Sequence, residues 1–315
     1  MRVLVTGGAG FIGSHVAETF LRAGHQVTVL DDLSSGKREN LPEGVRFIQA
    51  DIRSAQAREA IVVGAYDAVV HQAAQIDVRR SVDDPAYDAD INLIGLLNLL
   101  EACVEANVRR FIFASSGGAC YGEQIVYPAP ESHPLQPVSP YGASKAAGEL
   151  YLGFYFKEKK LPYLALRYSN VYGPRQDPAG EAGVVAIFNG RCLRKQACTI
   201  YGDGKQTRDY VYVADVARAN LLALESDYIG SLNIGTGKET DVLRLHDAVA
   251  KAAGSSIPPT FAPARAGEQR RSCIDPTMAA RVLGWRPEVD LERGIALTVD
   301  HFRSRLAGMR AKATA

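Results

Sequence analysis

Short apolar runs alternate with stretches of helical periodicity along the first half of the chain. Runs of strand length, rich in Val, Ile, Leu and Phe, lie at residues 2–6, 27–30, 45–50, 67–74 and 109–116. Between them apolar residues recur every three or four positions, most clearly at 11–22 and at about 85–106. Apolar strands separated by helices are typical of a parallel sheet with crossover connections. We therefore expect an α/β fold with a doubly wound parallel sheet.

The second half begins with a further helix and strand and then becomes irregular. Ser139 and Pro140 form a helix start, because serine caps helix N-termini and proline is tolerated best in the first turn. The helix is expected over about 140–159 and a strand over 161–168. Beyond residue 173, turns with Gly and Pro separate short segments, which predicts a smaller mixed C-terminal domain. The expected division is residues 1–170 for the sheet domain, to which some later segments return, 171–305 mainly for the second domain, and 306–315 for a frayed tail.

Composition places the chain among ordinary globular proteins. Of its 315 residues, 47% are hydrophobic and 23% are charged, which suffices for about two domains. The formal net charge is +1, so neither nucleic acid nor a membrane surface is an expected partner. No window of 18 residues lacks charge, so no membrane span is expected, and the chain starts directly in a strand, so no signal peptide is expected. The five cysteines are scattered without a Cys-x-x-Cys pair, which indicates reduced thiols of a cytoplasmic protein and no zinc site.

A glycine-rich turn, Gly-Gly-Ala-Gly-Phe-Ile-Gly at 7–13, joins the first strand to the first helix. Glycine in this place allows a tight turn and a close approach of backbone N–H groups to a pyrophosphate at the helix N-terminus. Asp31 ends the second strand, at the distance expected for an acid that binds the adenosine ribose. Turn and acid together predict a dinucleotide site. Asp31 and Asp32 would repel a 2′-phosphate, which favours NAD over NADP, although the nearby Lys37 and Arg38 leave NADP open.

A Tyr-x-x-x-Lys pair, Tyr141 and Lys145, stands at the start of the helix at 140–159. The spacing alone is not specific, since pairs at 155–159 and 201–205 share it. Position distinguishes the first pair, because its tyrosine lies in the first turn, where the helix dipole favours a phenolate. An ammonium four residues further along the same face adds to this effect. We therefore expect a lowered pKa for Tyr141, which would act as general acid and base, with Lys145 tuning it and binding ribose.

These motifs, taken with four further segments, indicate a family. The Gly-x-x-Gly-x-x-Gly spacing at 7–13, followed by Tyr-x-x-x-Lys, resembles the extended short-chain dehydrogenase/reductase superfamily, whose cofactor domain is a Rossmann fold. Within it, the chain is similar to the nucleotide-sugar 4-epimerases that act on UDP-glucose and UDP-galactose. The segments that carry this similarity are Ser-Ser-Gly-Gly-Ala-Cys-Tyr-Gly at 115–122, Arg-Tyr-Ser-Asn-Val-Tyr-Gly-Pro-Arg at 167–175, the run at 201–211 and Arg-Ala-Gly-Glu at 265–268. The similarity extends from Arg2 to about Arg303.

The resemblance implies bound NAD, a UDP-sugar substrate and inversion at C4 through a transient 4-keto sugar. Besides Tyr141 and Lys145, the implied cofactor-binding residues are Gly7, Gly10, Phe11, Ile12, Gly13, Asp31, Asp32, Asp51, Ile52, Ala73, Ala74 and Asn92. The implied substrate-binding residues are Ser116 and Tyr141 on the sugar, Asn170 near the phosphates, Arg208 and Arg265 on the diphosphate and Glu268 on the uridine ribose. The resemblance also implies a homodimer, in which the helices at about 85–106 and 140–159 form a four-helix bundle across the interface.

Two positions depart from the family pattern. Gly117 stands where the family usually has a catalytic Ser or Thr, so we expect the neighbouring Ser116, or a water, to bind the sugar hydroxyl. A lysine is common near residues 73–74 in the family, whereas this chain has Gln75 and Ile76, so one cofactor contact is lost or replaced. The stretch 117–119 also holds no carboxylate, which argues against the related 4,6-dehydratases, because eliminating water needs a paired acid and base.

Other substrates and functions stay open. Ser272 stands near a position where a bulkier residue often closes the sugar pocket in the family, so UDP-N-acetylhexosamines are an alternative substrate class. Arg79 and Arg80 could bind a carboxylate, which keeps a UDP-glucuronate epimerase or decarboxylase as a second alternative. A non-catalytic, NAD-bound redox sensor is a third alternative, which is disfavoured because a sensor does not need a tuned phenol.

Overall fold

A computed structural model describes residues 1–178, 183–265 and 269–313 of the chain. The strands in these ranges are β1 (Arg2–Thr6), β2 (Gln26–Asp31), β3 (Arg46–Gln49), β4 (Ala68–His71), β5 (Arg110–Ser116), β6 (Tyr163–Tyr168), β7 (Asn170–Tyr172), β8 (Thr199–Tyr201), β9 (Thr207–Arg208), β10 (Tyr210–Tyr212), β11 (Gly230–Ile234), β12 (Thr240–Asp241), β13 (Thr260–Ala262) and β14 (Arg271–Ser272). The helices are α1 (Phe11–Arg22), α2 (Ala55–Gly64), α3 (Val78–Asp83), α4 (Pro85–Ala89), α5 (Gly95–Glu105), α6 (Gly117–Tyr121), α7 (Pro140–Lys159), α8 (Val184–Leu193), α9 (Val213–Glu225), α10 (Val242–Ala253), α11 (Thr277–Leu283) and α12 (Leu291–Ala313).

Seven parallel strands form the main sheet, in the order β11-β6-β5-β4-β1-β2-β3. The first strand lies between β2 and β4, with Val3 opposite Val27 on one side and Ala68 on the other. The strands β2 and β3 therefore lie on one side of β1, and the later strands β4, β5, β6 and β11 lie on the other side. The point of reversal, between β1 and β4, is where open parallel sheets form a ligand crevice at the carboxyl ends of their strands. The predicted α/β class, with a Rossmann-like sheet and smaller additional sheets, is confirmed.

Each face of the main sheet has its own apolar core. Val3 and Val5 of β1 belong to one core and Leu4 to the other, because successive side chains of a strand point to opposite faces. Phe20 of α1 packs in the first core and Leu99 of α5 in the second. Burial on both faces explains why the strand sequences are continuously apolar rather than alternating.

The smaller part of the molecule packs around a third apolar core. Phe188 of α8, Leu245 of α10 and Val299 of α12 meet there, beside the short strands β8 and β10. The last helix continues to Ala313, through residues for which the sequence predicts a frayed end. No helix within the described residues combines the length and the apolar character needed to cross a membrane.

The two long helices predicted on either side of the catalytic segment are present. Ser139 caps α7, where its Oγ accepts a hydrogen bond from the Gly142 N–H at 3.2 Å. The helical stretch at about 85–106 consists of α4, a π-helical turn over Asp90–Ile94, and α5. Such π-turns insert an extra residue and are frequent at functional sites. Here the turn contains Asn92, which is buried beside the cleft described below.

Two buried histidines should make stability depend on pH. Burial lowers the pKa of His71 to about 3 and that of His15 to about 4. The unfolded chain takes up these two protons near pH 6.5 and the folded chain does not, so acid favours unfolding. The free energy of unfolding should fall by about 1.4 kcal/mol per pH unit for each histidine as the pH drops from about 6 towards about 4. Urea unfolding at about pH 7 and about pH 5 measures this fall. The variant His71→Gln should lose the part of the pH dependence of the unfolding free energy that corresponds to about one proton. A wild type whose free energy of unfolding is the same at both pH values would contradict the assignment.

Candidate active site

A cleft of about 420 Å³ lies along the carboxyl ends of the central strands of the main sheet. Its walls come from the glycine-rich turn, the loops after β2, β3 and β4, and the first turns of α7. The lining residues include Gly7, Gly10, Phe11, Ile12, Gly13, Asp31, Asp32, Asp51, Ile52, Ala73, Ala74, Gln75, Ile76, Ser115, Tyr141, Lys145 and Tyr168. The fold thus brings the predicted cofactor-binding residues together around the cleft. The exception is Asn92, which is buried and does not line the cleft.

The glycine-rich turn has a backbone that only glycine fits. Gly7 adopts φ +67°, and a Cβ on it would lie 2.5 Å from the Ala73 backbone nitrogen. A Cβ on Gly13 would lie 2.2 Å from the Gly7 carbonyl oxygen, so α1 could not pack against the turn. The N-cap of α1 is Gly10, which has no side chain to cover the helix end. The first backbone N–H groups of a 12-residue helix thereby face the cleft, as an anionic pyrophosphate requires.

Acidic side chains surround the far end of this turn. The Asp31 carboxylate accepts hydrogen bonds from the Ala9 N–H at 3.0 Å and the Leu33 N–H at 2.8 Å, and its burial raises its pKa. Asp51 is bound by the Arg53 guanidinium, whose hydrogen bonds lower the pKa of that carboxyl. Both acids line the cleft where an adenosine would lie.

The two basic residues that kept NADP open are engaged elsewhere. The Lys37 ammonium pairs with Asp177 at 2.5 Å. The Arg38 guanidinium stacks on the Phe47 ring at 4.8 Å and donates to Gln49. A 2′-phosphate would have to break these contacts and approach Asp31, so the geometry favours NAD.

Asn92 belongs to a buried polar cluster centred on Asp88. Its amide donates to the Asp88 carboxylate at 3.0 Å and to the Gln75 carbonyl at 2.9 Å, and its Oδ1 accepts from the Gln75 N–H at 2.9 Å. Asp88 also accepts from Ser144 of α7 at 2.7 Å. Asn92 therefore holds the loop after β4 in place instead of facing the cofactor cleft. Sequence reasoning missed Asp88, whose signal is an acid four residues before an Asn in a helical stretch, a spacing that puts both side chains on one face.

Tyr141 and Lys145 stand on the first two turns of α7, and both line the cleft. The Lys145 Nζ lies 5.9 Å from the centroid of the Tyr141 ring and 4.8 Å from that of Phe113. The prediction of a lowered pKa for Tyr141 is wrong as far as the protein's own residues determine it. Burial raises the pKa of Tyr141, and the nearby Cys120 and Asp88 raise it further. Burial also lowers the pKa of Lys145 to about 8, because a low-polarity site disfavours both charged forms.

The structure gives a steric reason for Gly117. A Cβ at Gly117 would lie 2.9 Å from the Ile274 Cγ2, so a Ser or Thr there would collide with that side chain. The preceding Ser116 is the N-cap of α6, where its Oγ accepts from the Ala119 N–H at 3.3 Å. The Ser116 side chain counteracts part of the rise in the tyrosine pKa. Its placement supports Ser116 as the hydroxyl partner of Tyr141.

A buried ion pair fixes both ends of the segment that carries Ser116. Arg167 of β6 and Glu149 of α7 approach to 2.6 Å, with their side chains 7% and 6% exposed. Glu149 accepts a hydrogen bond from Ser115 at 2.5 Å, and Arg167 donates to the Tyr121 hydroxyl at 2.8 Å. Sequence reasoning missed this pair, since a lone Glu inside a helix gives no sign that it faces inward.

Two of the residues considered for the substrate lie side by side. Arg208 and Ser272 are register partners in the parallel pair β9–β14. Ser272 is buried against Gly118, where an added Cβ would lie 3.3 Å from the serine Oγ. The fold therefore connects Ser272 directly to the segment that carries Ser116.

The other predicted substrate residues lie on separate elements. Asn170 is exposed at the start of β7, opposite Tyr210. The Arg265 guanidinium stacks on the Tyr201 ring at 3.7 Å, at the end of β8. Glu268 lies outside the described residues. Which of these residues contact a substrate stays a prediction.

Comparison with known proteins identifies the family. The family model described as "NAD dependent epimerase/dehydratase family" matches residues 3–235. This chain belongs to that family. A UDP-glucose 4-epimerase of Mycolicibacterium smegmatis is 47% identical over 97% of this chain and 99% of its own. The solved UDP-glucose 4-epimerase of Thermotoga maritima, determined with UDP-glucose, is 49% identical, covers 97% of this chain and 100% of its own, and has a TM-score of 0.95. That of Thermus thermophilus, in complex with NAD, is 51% identical over 96% of this chain and 99% of its own, with a TM-score of 0.91.

Membership in the NAD-dependent epimerase/dehydratase family makes NAD the cofactor, and the cleft fits it. The N-terminus of α1 suits the pyrophosphate, Asp31 stands beside the expected ribose position, and Tyr141 with Lys145 occupies the other end. The predicted superfamily and cofactor are thereby confirmed. Gln75, which stands in the stretch where the sequence predicts a lost or replaced cofactor contact, lines the same cleft and donates a hydrogen bond to Asp88 at 2.9 Å.

Proposed function

We propose that this chain is an NAD-dependent isomerase that inverts C4 of a UDP-hexose and interconverts UDP-galactose and UDP-glucose. The observation that carries the proposal is the meeting of Tyr141 and Lys145 in one cleft with the glycine-rich turn, where Ser116 acts on the Tyr141 hydroxyl from the end of β5. Similarity along nearly the whole chain to proteins named UDP-glucose 4-epimerase supports the substrate.

The chain's own residues handle the proton on the C4 oxygen. Bound NAD supplies a hydride acceptor and donor for the sugar carbon and, when oxidised, a positive charge. Tyr141 accepts the hydroxyl proton and later returns it to the keto oxygen. Its raised pKa keeps the phenol protonated, so forming the phenolate that accepts the proton needs cationic help, which Lys145 provides on the same helix face. Ser116 orients the hydroxyl by hydrogen bonding.

In the proposed complex, arginine side chains bind the diphosphate of the substrate. Arg208 and Arg265 bind the two phosphates, Asn170 contacts the same region, and Glu268 binds the uridine ribose. Arg208 fits this role because its strand neighbour Ser272 adjoins the Ser116 segment, so the phosphate and sugar regions are contiguous. Guanidinium groups recognise phosphate oxygens with two parallel hydrogen bonds.

UDP-N-acetylhexosamines are a second candidate substrate class. Ser272 is a small residue that adjoins Gly118 of the Ser116 segment, near the position where the sequence predicts the closing residue of the sugar pocket. UDP-glucuronate stays a weaker alternative: Arg80 lines the cleft and stacks on Tyr87 at 3.8 Å, while Arg79 stands beside it on α3. Dehydration remains disfavoured, since the segment 117–119 holds no acid.

Chromatography of UDP-sugars tests the proposal directly. The purified protein is incubated with UDP-galactose and no added cofactor, and UDP-glucose is expected to appear until both sugars reach equilibrium. Parallel incubations with UDP-N-acetylgalactosamine and UDP-glucuronate compare the alternatives. Absence of UDP-galactose conversion, even with NAD added, would contradict the proposed substrate, and conversion of the N-acetyl sugar alone would replace it with the second candidate.

We also propose a cytoplasmic homodimer. None of the five cysteines, all of which the structure describes, forms a disulfide, as expected in a reducing compartment. Leu150 and Phe154 of α7 are 74% and 49% exposed, and Ile94 before α5 is 55% exposed. Residues four apart share a helix face, so α7 presents an apolar surface that suits a four-helix bundle with a second copy.

Negative charges introduced on the apolar face of α7 should dissociate the proposed dimer into single subunits. The double variant Leu150→Glu/Phe154→Glu is expected to have half the wild-type mass by light scattering, because carboxylates cannot be buried unpaired in an apolar interface. Val63→Glu is the matched control, since Val63 is 73% exposed on α2. A wild type that is monomeric, or a double variant that stays dimeric, would contradict the proposed interface.

A further inference from the structure

Two cysteines and a histidine meet in the smaller part of the molecule. Cys192 lies on the last turn of α8, Cys198 directly precedes β8, and His246 lies on α10. All three are buried, and their candidate ligand atoms lie within 4.8 Å of one another. The proposed reaction uses none of them, and none of them lines the cleft.

The spacing of these atoms suits a tetrahedral metal ion. The two sulfur atoms are 3.6 Å apart. With Zn–S bonds of about 2.3 Å, two thiolates on one tetrahedral zinc ion lie about 3.8 Å apart, and each lies about 3.6 Å from a bound imidazole nitrogen. The sulfur atoms are therefore already near their coordinating positions, and the imidazole nitrogen needs a movement of no more than about 1.4 Å.

The hydrogen bonding of His246 leaves one ring nitrogen for a ligand. Its Nδ1 lies 3.4 Å from the Asp247 carboxylate, which as an ionised acid only accepts hydrogen bonds. The proton therefore belongs on Nδ1, and Nε2 carries a lone pair. Within the described residues, the buried Nε2 has no hydrogen-bond partner. An imidazole that donates to a carboxylate through one nitrogen and binds metal through the other is the usual arrangement of metal-bound histidine.

We propose that Cys192, Cys198 and His246 bind one zinc ion through two thiolates and the imidazole Nε2. Charge balances, because the doubly positive ion replaces two thiol protons, which leave to solvent. Thiolate and imidazole ligands select zinc over magnesium or calcium, which prefer oxygen. A water fills the fourth position of the tetrahedron.

The ion would join three segments of the substrate region. It ties the end of α8 and the start of β8 to α10, and β8 leads directly into the segment that ends with Arg208. The sequence spacing, five residues between the cysteines and a distant histidine, matches no zinc motif, which is why the sequence predicted no metal site. Only the fold brings the three side chains together.

Metal analysis of a tag-free protein, purified with a non-chelating reductant, tests the site. We expect one zinc per chain in the wild type, and background zinc in Cys192→Ser and in His246→Asn. Cys103→Ser is the matched control, because Cys103 is also fully buried but packs in the core beneath α5. Cobalt added to the stripped wild type should give a thiolate-to-metal charge-transfer band, which requires no variant to fold.

Asp247→Asn tests the second-sphere hydrogen bond without touching a ligand. Asp247 is 83% exposed, so the variant should fold normally, while its zinc affinity in competition with a chelator falls about 10–100-fold. A wild type with neither zinc nor a cobalt charge-transfer band would overturn the proposal. So would zinc binding that persists in His246→Asn, or an intact mass that shows Cys192 and Cys198 joined in a disulfide.

Discussion

Tyr141→Phe is expected to lower kcat for UDP-galactose by about 10²–10⁴-fold or more while leaving cofactor and nucleotide binding intact. The substitution removes only the hydroxyl that exchanges a proton with the sugar, and the ring keeps its place on the first turn of α7. Steady-state kinetics measure kcat, and calorimetry with UDP measures binding.

Tyr155→Phe is the matched control for this experiment. Tyr155 begins a second Tyr-x-x-x-Lys pair on the same helix, but its hydroxyl bonds to Glu101 and lies outside the cleft. Turnover of this control should stay close to wild type. Near-normal turnover of Tyr141→Phe, or an equal loss in both variants, would contradict the acid–base role.

Arg167→Met is expected to lower the free energy of unfolding by about 3–5 kcal/mol, because it leaves the Glu149 carboxylate buried without its partner. Chemical denaturation measures the loss. Turnover of the folded fraction should fall as well, since Tyr121 loses a hydrogen bond that holds the end of the Ser116 segment.

The double variant Arg167→Met/Glu149→Leu separates stability from positioning. Removing both charges should recover much of the lost stability, because apolar replacements of buried ion pairs are often neutral. Turnover should stay low, since Ser115 and Tyr121 each lose the hydrogen bond to this ion pair. A single variant within about 1 kcal/mol of wild type, or a double variant with normal turnover, would contradict this role.

Local pattern was enough to predict the elements that position the site. The strands, α1 and α7 follow from apolar periodicity and from the Ser139 cap, and the glycine-rich turn follows from its place between β1 and α1. These features depend on residues close together in the chain. Parallel pairing then brings their ends to one edge of the sheet, as expected for Asp31 and Tyr141.

Properties that depend on distant neighbours were not predictable in the same way. The dipole and Lys145 suggested a lowered pKa for Tyr141, but burial, which the sequence does not display, reverses the direction. The buried Asn92 side chain belongs to a π-helical turn, which the sequence did not predict. The space available at Gly117 is limited by Ile274, which lies far away in the chain. Each case is decided by packing between segments that are remote in the chain.

Transfer of the C4 hydrogen away from the sugar and back to it within one cleft is tested most directly with UDP-galactose deuterated at C4. The protein is incubated with this substrate in ordinary water, and the UDP-glucose product is analysed by mass spectrometry. We expect the deuterium to stay on C4, because a hydride that is taken from the sugar and returned does not mix with water, while Tyr141 exchanges only the hydroxyl proton. Loss of deuterium to water during the conversion would contradict the proposed reaction.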